Sequence, residues 1–391
     1  MSRHTDVAAR STAPAAPAPA VTTAVGDDLV GRIRRRLADA PEHDGTTAAV
    51  RAAVATALHA EGVHPPAAQL APLVRHLADH VAGLGPLQQL LRQPGVTDVM
   101  VNGPGQVWVE QHGRLVLTDV TFPDADAVLD AVRRVVSPLG GRLDRSRPFV
   151  DAKLPDGSRL HAVAAPIVVD GPLVTLRRFD ARLLSWAQLI DGGAVPEDAA
   201  QRLQQAVADR QAIVVCGRTG SGKTTLLQRL LSDVDGCDRV VLIEDAPELR
   251  PRTAHLVRME TRPPSAEGTG QVDIATLVRQ ALRMRPDRIV VGEVRGVEVA
   301  DVLQALITGH EGCMTTVHAS TAAEALIRLE GMALLAGLPL AAAQAQIGTA
   351  IDLVVALDRG PDGRRGVVEI ADVISRDRVP HAVTVWRRAQ W

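Results

Sequence analysis

The strongest constraint on this chain is a glycine-rich segment between an apolar run and a helical pattern. It fits G-x-x-x-x-G-K-[ST] and reads Gly217-Arg218-Thr219-Gly220-Ser221-Gly222-Lys223-Thr224. Apolar residues 212–215 precede it, and leucines at helical spacing follow Thr225, so strand, loop and helix stand in the order that a phosphate-binding loop requires. The glycines let backbone N–H groups turn toward phosphate oxygens, and the helix N-terminus adds its dipole. The segment, from Gly217 to Thr225, predicts a nucleotide site.

The lysine of this loop is one of only two in the chain. Of 43 basic residues, all but Lys153 and Lys223 are arginines. Generic surface charge is therefore carried by arginine. The lysine at position 223 stands where the loop needs a compact ammonium.

Length and charge limit the possible classes of protein. A chain of 391 residues predicts two or three domains, at about 150 residues each. The net charge of −2 gives no global basic field of the kind that holds a protein on DNA or RNA. We therefore predict no nucleic-acid partner.

The cysteines and the apolar segments indicate the cellular compartment of the protein. Cys216, Cys237 and Cys313 are odd in number and lack C-x-x-C spacing, which argues against a disulfide framework or a zinc site. Residues 11–17 lack the apolar core of a secretory signal. The uncharged stretch 331–351 is interrupted by Gly337-Leu338-Pro339, which favours buried helices over a membrane span. We predict a cytoplasmic protein without a transmembrane segment.

Changes in composition and periodicity predict four segments. Residues 1–26 form an Ala/Pro-rich disordered tail, and 27–82 a small helical module. Residues 83–182 form a mixed α/β domain. In 183–391 strands and helices alternate, which implies a largely parallel sheet with helices on both faces, and the P-loop makes a RecA-like core the natural assignment. Its last three strands, from 352 onward, are predicted to be antiparallel.

Carboxylates follow two of the predicted strands. Glu244 and Asp245 come directly after the apolar run 240–243, and Glu293 follows 289–292. Strand carboxyl ends in such sheets face the ligand crevice, so both positions point to catalysis. Either Glu alone could be an ordinary strand-end carboxylate. Two of them after a P-loop favour the catalytic interpretation.

Two histidines flank the predicted strand 314–317. His310 and His318 could contact a γ-phosphate or a neighbouring subunit, whereas a lone histidine is more often a packed or capping residue. They lack thiol or carboxylate partners at the spacing of a zinc site. Mg²⁺ is therefore the only metal that we expect.

These motifs, taken in order, resemble one family. The chain resembles the secretion ATPases of type II and type IV systems, and within them the CpaF/TadA-like branch that assembles Flp (Tad) pili. The resemblance runs over about residues 75–375. It is carried by the P-loop and by four further segments, Ile243-Glu244-Asp245, Met284 to Gly296, Thr308-Gly309-His310 and His318-Ala319. Upstream it includes Val150 to Leu160 and Leu176-Arg177-Arg178-Phe179.

The resemblance implies a ring-shaped homohexamer in which the N-terminal and RecA-like domains clamp ATP. Carried over residue by residue, Lys223 contacts phosphate, Thr224 holds Mg²⁺, and Glu244 is the candidate general base. Glu293 is the Walker B acid near Mg²⁺. His310 and His318 are the His-box pair, and the candidate arginines from the N-terminal domain are Arg159, Arg177 and Arg178. Alternatively, Arg177 and Arg178 are solvated arginines at a strand end and have no role in the site.

The chain departs from the family pattern in two respects. It lacks the tetracysteine zinc module of the type II secretion branch, which argues for the pilus or type IV side. It also has Ala246 where many relatives have Pro directly after Glu-Asp.

The function predicted from the sequence is that of an ATP-hydrolysing motor. It powers Flp/Tad-type pilus assembly or type II/IV secretion from the cytoplasmic face of the membrane, coupled to an inner-membrane platform protein. The alternative in the same class is a type IV conjugation or effector-secretion ATPase. Two further alternatives are a RecA-like nucleic-acid motor, which charge and few aromatics disfavour, and a non-hydrolysing scaffold.

Overall fold

The computed structural model describes residues 27–38, 47–178, 183–262, 269–360 and 363–389. The tail predicted for 1–26 lies outside them. The chain divides into two compact units: unit 1 holds Met1–Leu154 and Arg159–Arg178, and unit 2 holds Pro155–Ser158 and Phe179–Trp391. The division into four segments stays a prediction.

Unit 1 opens with three helices around a small apolar core. They are α1 (Asp27–Ala38), α2 (Thr47–Ala60) and α3 (Ala67–Val81). Ile33, Leu58 and Leu77 are buried between them. Apolar residues at helical spacing fold this way because each helix has only one face to bury.

The rest of unit 1 is a sheet with helices. Its elements are α4 (Leu87–Arg92), β1 (Val96–Asn102), β2 (Val107–Gln111), β3 (Arg114–Leu117), α5 (Ala125–Val136), a 3₁₀ turn (Ser137–Leu139), β4 (Phe149–Lys153), β5 (Arg159–Val163) and β6 (Leu173–Arg177). The strand order is β3-β2-β1-β6-β5-β4, and all neighbours are antiparallel.

One face of this sheet is buried in an apolar core. Val99, Leu160 and Leu176 lie on the buried face and share a core with Val128 and Val132 of α5. Because side chains alternate along a strand, Arg159 and Arg177, each one position from a buried residue, lie on the opposite face.

Unit 2 carries the nucleotide-binding motifs. Its elements are α6 (Trp186–Asp191), α7 (Glu197–Ala208), β7 (Ile213–Gly217), α8 (Lys223–Leu231), β8 (Val240–Glu244), β9 (Leu256–Glu260), α9 (Ile274–Ala281), β10 (Arg288–Val291), α10 (Val299–Ile307), β11 (Met314–Val317), α11 (Ala322–Leu335), α12 (Leu340–Ala350), β12 (Leu353–Arg359), β13 (Arg365–Arg376) and β14 (Val379–Arg387). The strand order is β14-β13-β12-β7-β11-β10-β8-β9.

The sheet of unit 2 is parallel from β12 to β9 and carries helices on both faces. Every residue of β7, β8, β10 and β11 is buried, as expected for parallel strands covered on both sides. One face packs on α9 to α12 and the other on α7 and α8. This arrangement confirms the predicted α/β RecA-like fold.

The last three strands are antiparallel to one another, as predicted, because β13 pairs antiparallel with both β12 and β14. The α11–α12 crossover also returns β12 beside β7 in the same direction, so β12 joins this antiparallel part to the parallel part of the sheet. One prediction about this region needs correction. The stretch 331–351 does form helices, but they are buried on one face only, and Leu335 is 77% exposed. No helix in the described part of the chain is long and apolar enough to span a bilayer.

Candidate active site

The phosphate-binding loop lies where β7 ends and α8 begins. Gly220 and Gly222 have φ of 72° and 103°, a region that side-chain-bearing residues rarely adopt. A Cβ at Gly217 would lie 2.3 Å from Ser221 Oγ and 2.7 Å from the Leu357 carbonyl oxygen. The sequence needs glycine at these positions because the loop folds back closely on itself.

The ammonium of Lys223 is held inside this loop. Its Nζ donates to the carbonyl oxygens of Gly217 (2.9 Å) and Arg218 (3.2 Å), and the residue is 8% exposed. Ser221 is also buried, and its hydroxyl has no hydrogen-bond partner among the described residues. A buried ammonium and a buried, unsatisfied hydroxyl are polar groups suited to an anionic ligand.

His318 follows β11 and lies between Lys223 and Glu293. Its Nδ1 is 3.4 Å from Lys223 Nζ, and its Nε2 is 2.7 Å from Glu293 Oε1. Burial lowers the pKa of His318 below 6.5, and the positive charge of Lys223 lowers it further. The imidazole is therefore neutral at pH 7. Its Nδ1 accepts from the ammonium, which places the remaining proton on Nε2, facing Glu293.

Glu293, just beyond β10, is held by Arg295. Its Oε2 accepts a hydrogen bond of 2.6 Å from Arg295 Nη2. Its Oε1 is buried beside His318, but the two groups are not aligned for a hydrogen bond, and Oε1 has no other such partner among the described residues. Burial acts to raise the pKa of Glu293, but Arg295, His318 and Lys223 outweigh it and bring the pKa below 4.5. This carboxylate is ionised.

Glu244 ends β8 on the neighbouring strand. It is 5% exposed, and its Oε1 accepts from the backbone N–H groups of Glu248 (2.8 Å) and Leu249 (2.9 Å). Burial raises its pKa above 4.5, opposed by these hydrogen bonds and by Arg258, whose Nη2 is 3.7 Å from Oε2. A Cβ on Gly292 would lie 3.1 Å from Glu244 Cγ, so the two segments that carry the candidate acids are in direct contact.

His310 lies near the other end of β11. It precedes the strand by four residues, whereas His318 directly follows it, and strand carboxyl ends form the crevice. Its Nδ1 is 3.0 Å from the Ala305 carbonyl oxygen at the end of α10, a contact of the capping kind. Unit 2 therefore brings His318 to the loop and does not bring His310 there.

The three candidate arginines all belong to unit 1, but they have different surroundings. Arg159 on β5 lies directly opposite Arg177 on β6. The Arg178 guanidinium instead donates to the carbonyl oxygen of Gln93 at 3.0 Å. Phe179, which follows in the motif, is outside the described residues.

The residues expected to hold Mg²⁺ fit such an ion. Mg²⁺ prefers oxygen ligands and is usually held by one or two carboxylates together with substrate phosphates. Glu293 supplies a buried oxygen with no hydrogen-bond partner in the described part of the chain. Thr224, at the first turn of α8, supplies a hydroxyl.

Comparison with known proteins gives the family. The family described as "Type II/IV secretion system protein" matches residues 80–373. A putative conjugal transfer protein of Mycobacterium tuberculosis is 42% identical over 319 residues, which cover 80% of this chain and 91% of that protein. The type IV secretion system protein PtlH of Bordetella pertussis is 33% identical and covers 75% of this chain and 94% of its own length.

A solved structure agrees with the fold. The Legionella pneumophila ATPase DotB has a TM-score of 0.54 at 23% identity, covering 77% of this chain and 80% of its own. The chain belongs to the type II/IV secretion system protein family.

Sequence reasoning missed two arginines that contact the candidate acids. Arg295 lies two residues after Glu293 in the segment Met284 to Gly296. This short separation along the chain is a signal in the sequence that could have indicated its contact with Glu293. Arg258 lies on β9, which no motif marks, and only the parallel pairing of β8 with β9 brings it to Glu244.

Proposed function

We propose that this protein is an ATPase, a Mg²⁺-dependent hexameric motor of a pilus-assembly or secretion machine. The observation that carries the proposal is the arrangement around His318. A single imidazole lies within 3.4 Å of the P-loop lysine and 2.7 Å of the candidate Walker B acid. Phosphoryl transfer needs positive charge on the phosphates and an acid near Mg²⁺, and in this proposal Lys223 supplies the first and Glu293 the second.

The chemistry follows from the positions of these side chains. Lys223 exchanges its loop carbonyl contacts for phosphate oxygens, and backbone N–H groups from Gly217 to Thr225 surround them. Thr224 and Glu293 would hold Mg²⁺, which would offset negative charge on the phosphates.

Glu244 is the proposed general base. Its pKa is raised by burial, so it is a better proton acceptor than an exposed glutamate. Its Oε1 is fixed by two backbone N–H groups, and its Oε2 lies at the longer distance of 3.7 Å from Arg258 Nη2. Glu244 thus orients and deprotonates the attacking water. Arg159, Arg177 and His310 are proposed to complete the site when the ring assembles. Arg178, whose guanidinium donates to the Gln93 carbonyl oxygen, is proposed to hold the end of β6 instead.

The machine that this motor serves has two candidates. Flp/Tad-type pilus assembly rests on the sequence motifs and on the missing zinc module. Conjugal transfer is favoured by the similarity to the putative conjugal transfer protein of Mycobacterium tuberculosis. Either places the protein at the cytoplasmic face of the membrane, bound to a platform protein. Crosslinking in membranes followed by identification of the bound platform protein separates them.

The test of ATP hydrolysis uses purified full-length protein with Mg²⁺ and ATP. We expect phosphate release by the wild type and none by Lys223→Ala, with unchanged circular dichroism. Arg376→Ala, an exposed position at the end of β13, is the control and should match the wild type. Normal hydrolysis by folded Lys223→Ala would exclude the P-loop as the site.

A further inference from the structure

Glu369 is a buried carboxylate outside the motifs that carry the family resemblance. It lies on β13 and is 8% exposed. Its Oε2 accepts from the backbone N–H of Ala322 at 3.1 Å. Its Oε1 accepts from Thr384 Oγ1 at 2.7 Å and from Arg387 Nη2 at 2.8 Å. One side chain therefore joins the β13–β14 hairpin to the first residue of α11.

The strands around Glu369 are irregular on both sides. Toward β12, the register moves from Glu369 to Val367, which leaves Val368 unpaired. Toward β14, it moves from Trp386 to Thr384, which leaves Val385 unpaired. Bulges of this kind change the direction in which a side chain points, and two of them bracket this carboxylate.

The helix that Glu369 contacts begins just after His318. Thr321 is the N-cap of α11, and its side chain accepts from Glu324 N, while Glu324 accepts from Ser320 N. These two contacts satisfy the N–H groups of Glu324 and Ser320, but they leave the N–H of Ala322 without an intrahelical partner. Glu369 supplies that partner from another strand.

The same turn is also connected to the P-loop strand. Cys216, one residue before Gly217, donates its thiol proton to the Thr321 carbonyl oxygen at 3.6 Å. Thr321 is therefore held from β7, and Ala322 from β13, at the start of α11. Only three residues lie between His318 and Ala322, whose backbone N–H donates to Glu369.

Glu369 carries a charge at this helix end. Burial acts to raise its pKa, but the hydrogen bonds from Thr384, Arg387 and Ala322 bring the pKa below 4.5. A negative charge at a helix N-terminus is favourable, because the exposed N–H groups there are the positive end of the helix dipole.

We propose that Glu369 is a positioning residue of the nucleotide site, which fixes the first turn of α11 and thereby holds His318 between Lys223 and Glu293. The inference rests on the proposed ATP hydrolysis. It assigns to the C-terminal hairpin a role in setting the geometry of a site to which it contributes no atom.

The test compares three variants of the full-length chain. Glu369→Ala removes the acceptor of the Ala322 N–H, and we expect kcat to fall about 10²-fold, the scale of a misplacement of about 1 Å. Glu369→Gln has the same shape and keeps an amide oxygen for Ala322, so it should recover part of kcat. In both, KM for ATP should stay within about threefold, as for a group that acts on the chemical step.

Thr384→Val is the matched control. It removes a hydrogen bond from the hairpin side of the same carboxylate and leaves the contact to Ala322. We expect it to lower the melting temperature while kcat stays within about twofold of the wild type, since the helix side is intact. If Glu369 served only to hold the hairpin, Thr384→Val would lose as much kcat as Glu369→Gln, and the inference would be wrong.

A direct readout of His318 completes the test. In protein with ¹³C-labelled histidine, the imidazole signal of His318, assigned with His318→Gln, should move in Glu369→Ala and Glu369→Gln and remain in place in Thr384→Val. An unmoved signal in the Glu369 variants overturns the inference. Absence of hydrolysis by the wild type contradicts the proposed function instead. If Glu369→Ala does not fold, Glu369→Gln decides the question.

Discussion

Arg159 and Arg177 lie directly opposite each other on neighbouring antiparallel strands of unit 1. Side chains at such positions have Cβ atoms about 5 Å apart, and like charges there are destabilising unless an anion compensates them. On the far side of Arg177, Asp98 of β1 occupies the next register position. The two guanidinium groups form a positive pair on the face of the sheet away from its apolar core.

We predict that Arg159→Ala and Arg177→Ala each lower ATP turnover by about 10³-fold, the usual scale for a lost transition-state arginine. Arginine suits this role because its planar fork matches phosphate oxygens and stays ionised. ATP affinity should stay within about tenfold, a change of about 1.4 kcal/mol. Steady-state phosphate release and fluorescent-nucleotide titration measure the two quantities.

Arg178 serves as the internal comparison. Its side chain bonds the backbone carbonyl of Gln93, and its N–H donates to Thr97 O at 2.8 Å. We expect Arg178→Ala to lower the melting temperature more than either neighbouring variant. Normal turnover in both Arg159→Ala and Arg177→Ala would show that the pair is surface charge.

Substitution of Glu244 or Glu293 should slow the hydrolysis of ATP without preventing its binding. We predict that Glu244→Gln and Glu293→Gln bind ATP but turn it over slowly, with the larger loss in Glu244→Gln, because removal of a general base costs about 10²- to 10⁴-fold. Single-turnover hydrolysis measures the chemical step. Glu330→Gln on α11 is the remote control. Unaltered turnover in either active-site variant removes that residue from the site.

Most of unit 2 could be predicted from its sequence because local signals are strong there. Apolar runs of four or five residues ending in Gly, Glu or Asp mark buried parallel strands, and the observed β7, β8, β10 and β11 lie within one or two residues of the predicted ranges. By contrast, β9 is only half-buried and ends before residues 263–268, so it lacks both the apolar run and a motif. The sequence of a half-buried edge strand shows only a weak alternation of apolar and polar residues, so such a strand is hard to predict.

Candidate site residues can be proposed from the sequence where the signal is local and not where a contact depends on strand pairing. Lys223 is marked by the glycine-rich loop, and Glu244 and Glu293 by strands that end at or just before them. The contact of Arg258 with Glu244 and that of Glu369 with Ala322 join residues 14 and 47 apart along the chain. Such contacts depend on strand order and on bulges, neither of which a single sequence specifies.

The pH dependence of turnover should report the ionisation of Glu244. A base works when ionised, and the pKa of Glu244 is raised by burial, so kcat should rise with pH through a value above 4.5. Arg258 opposes this shift. We therefore predict that Arg258→Gln moves the acidic limb of the kcat profile to higher pH.

Arg252→Gln, an exposed position just before β9, controls for loss of one positive charge and should leave the limb in place. His318, with a pKa below 6.5, takes up a proton on the acidic side of that value. The profile is therefore also recorded in His318→Gln, which removes the titration of the imidazole from it. An acidic limb that Arg258→Gln does not move contradicts Glu244 as the base.

Activity should depend on assembly. A site that takes arginines from another domain or subunit is complete only in a closed ring, and we predict a homohexamer formed through heterologous interfaces and favoured by nucleotide. Mass photometry across a dilution series, with hydrolysis measured on the same samples, should show specific activity falling as hexamers dissociate. Full activity in a sample that contains only monomers would exclude the ring.

The last prediction concerns the buried ion pair beneath β10. Asp238 and Arg288 are 4% and 2% exposed. Arg288 donates to Asp238 Oδ2 at 2.8 Å and to the Val207 carbonyl at 3.1 Å, and Arg210 also bonds Asp238. Asp238→Ala leaves the Arg288 charge buried and unpaired, which costs about 3–5 kcal/mol of unfolding free energy.

Arg288→Met should cost less, because methionine fills much of the same space and Asp238 keeps Arg210. Asp235→Ala, an exposed position three residues away, controls for loss of one negative charge and should change stability least. Urea unfolding followed by circular dichroism gives the order, with Asp238→Ala at the lowest midpoint. If Arg288→Met unfolds first instead, the packing of the guanidinium and its bond to Val207 stabilise the base of β10 more than its pairing with Asp238 does.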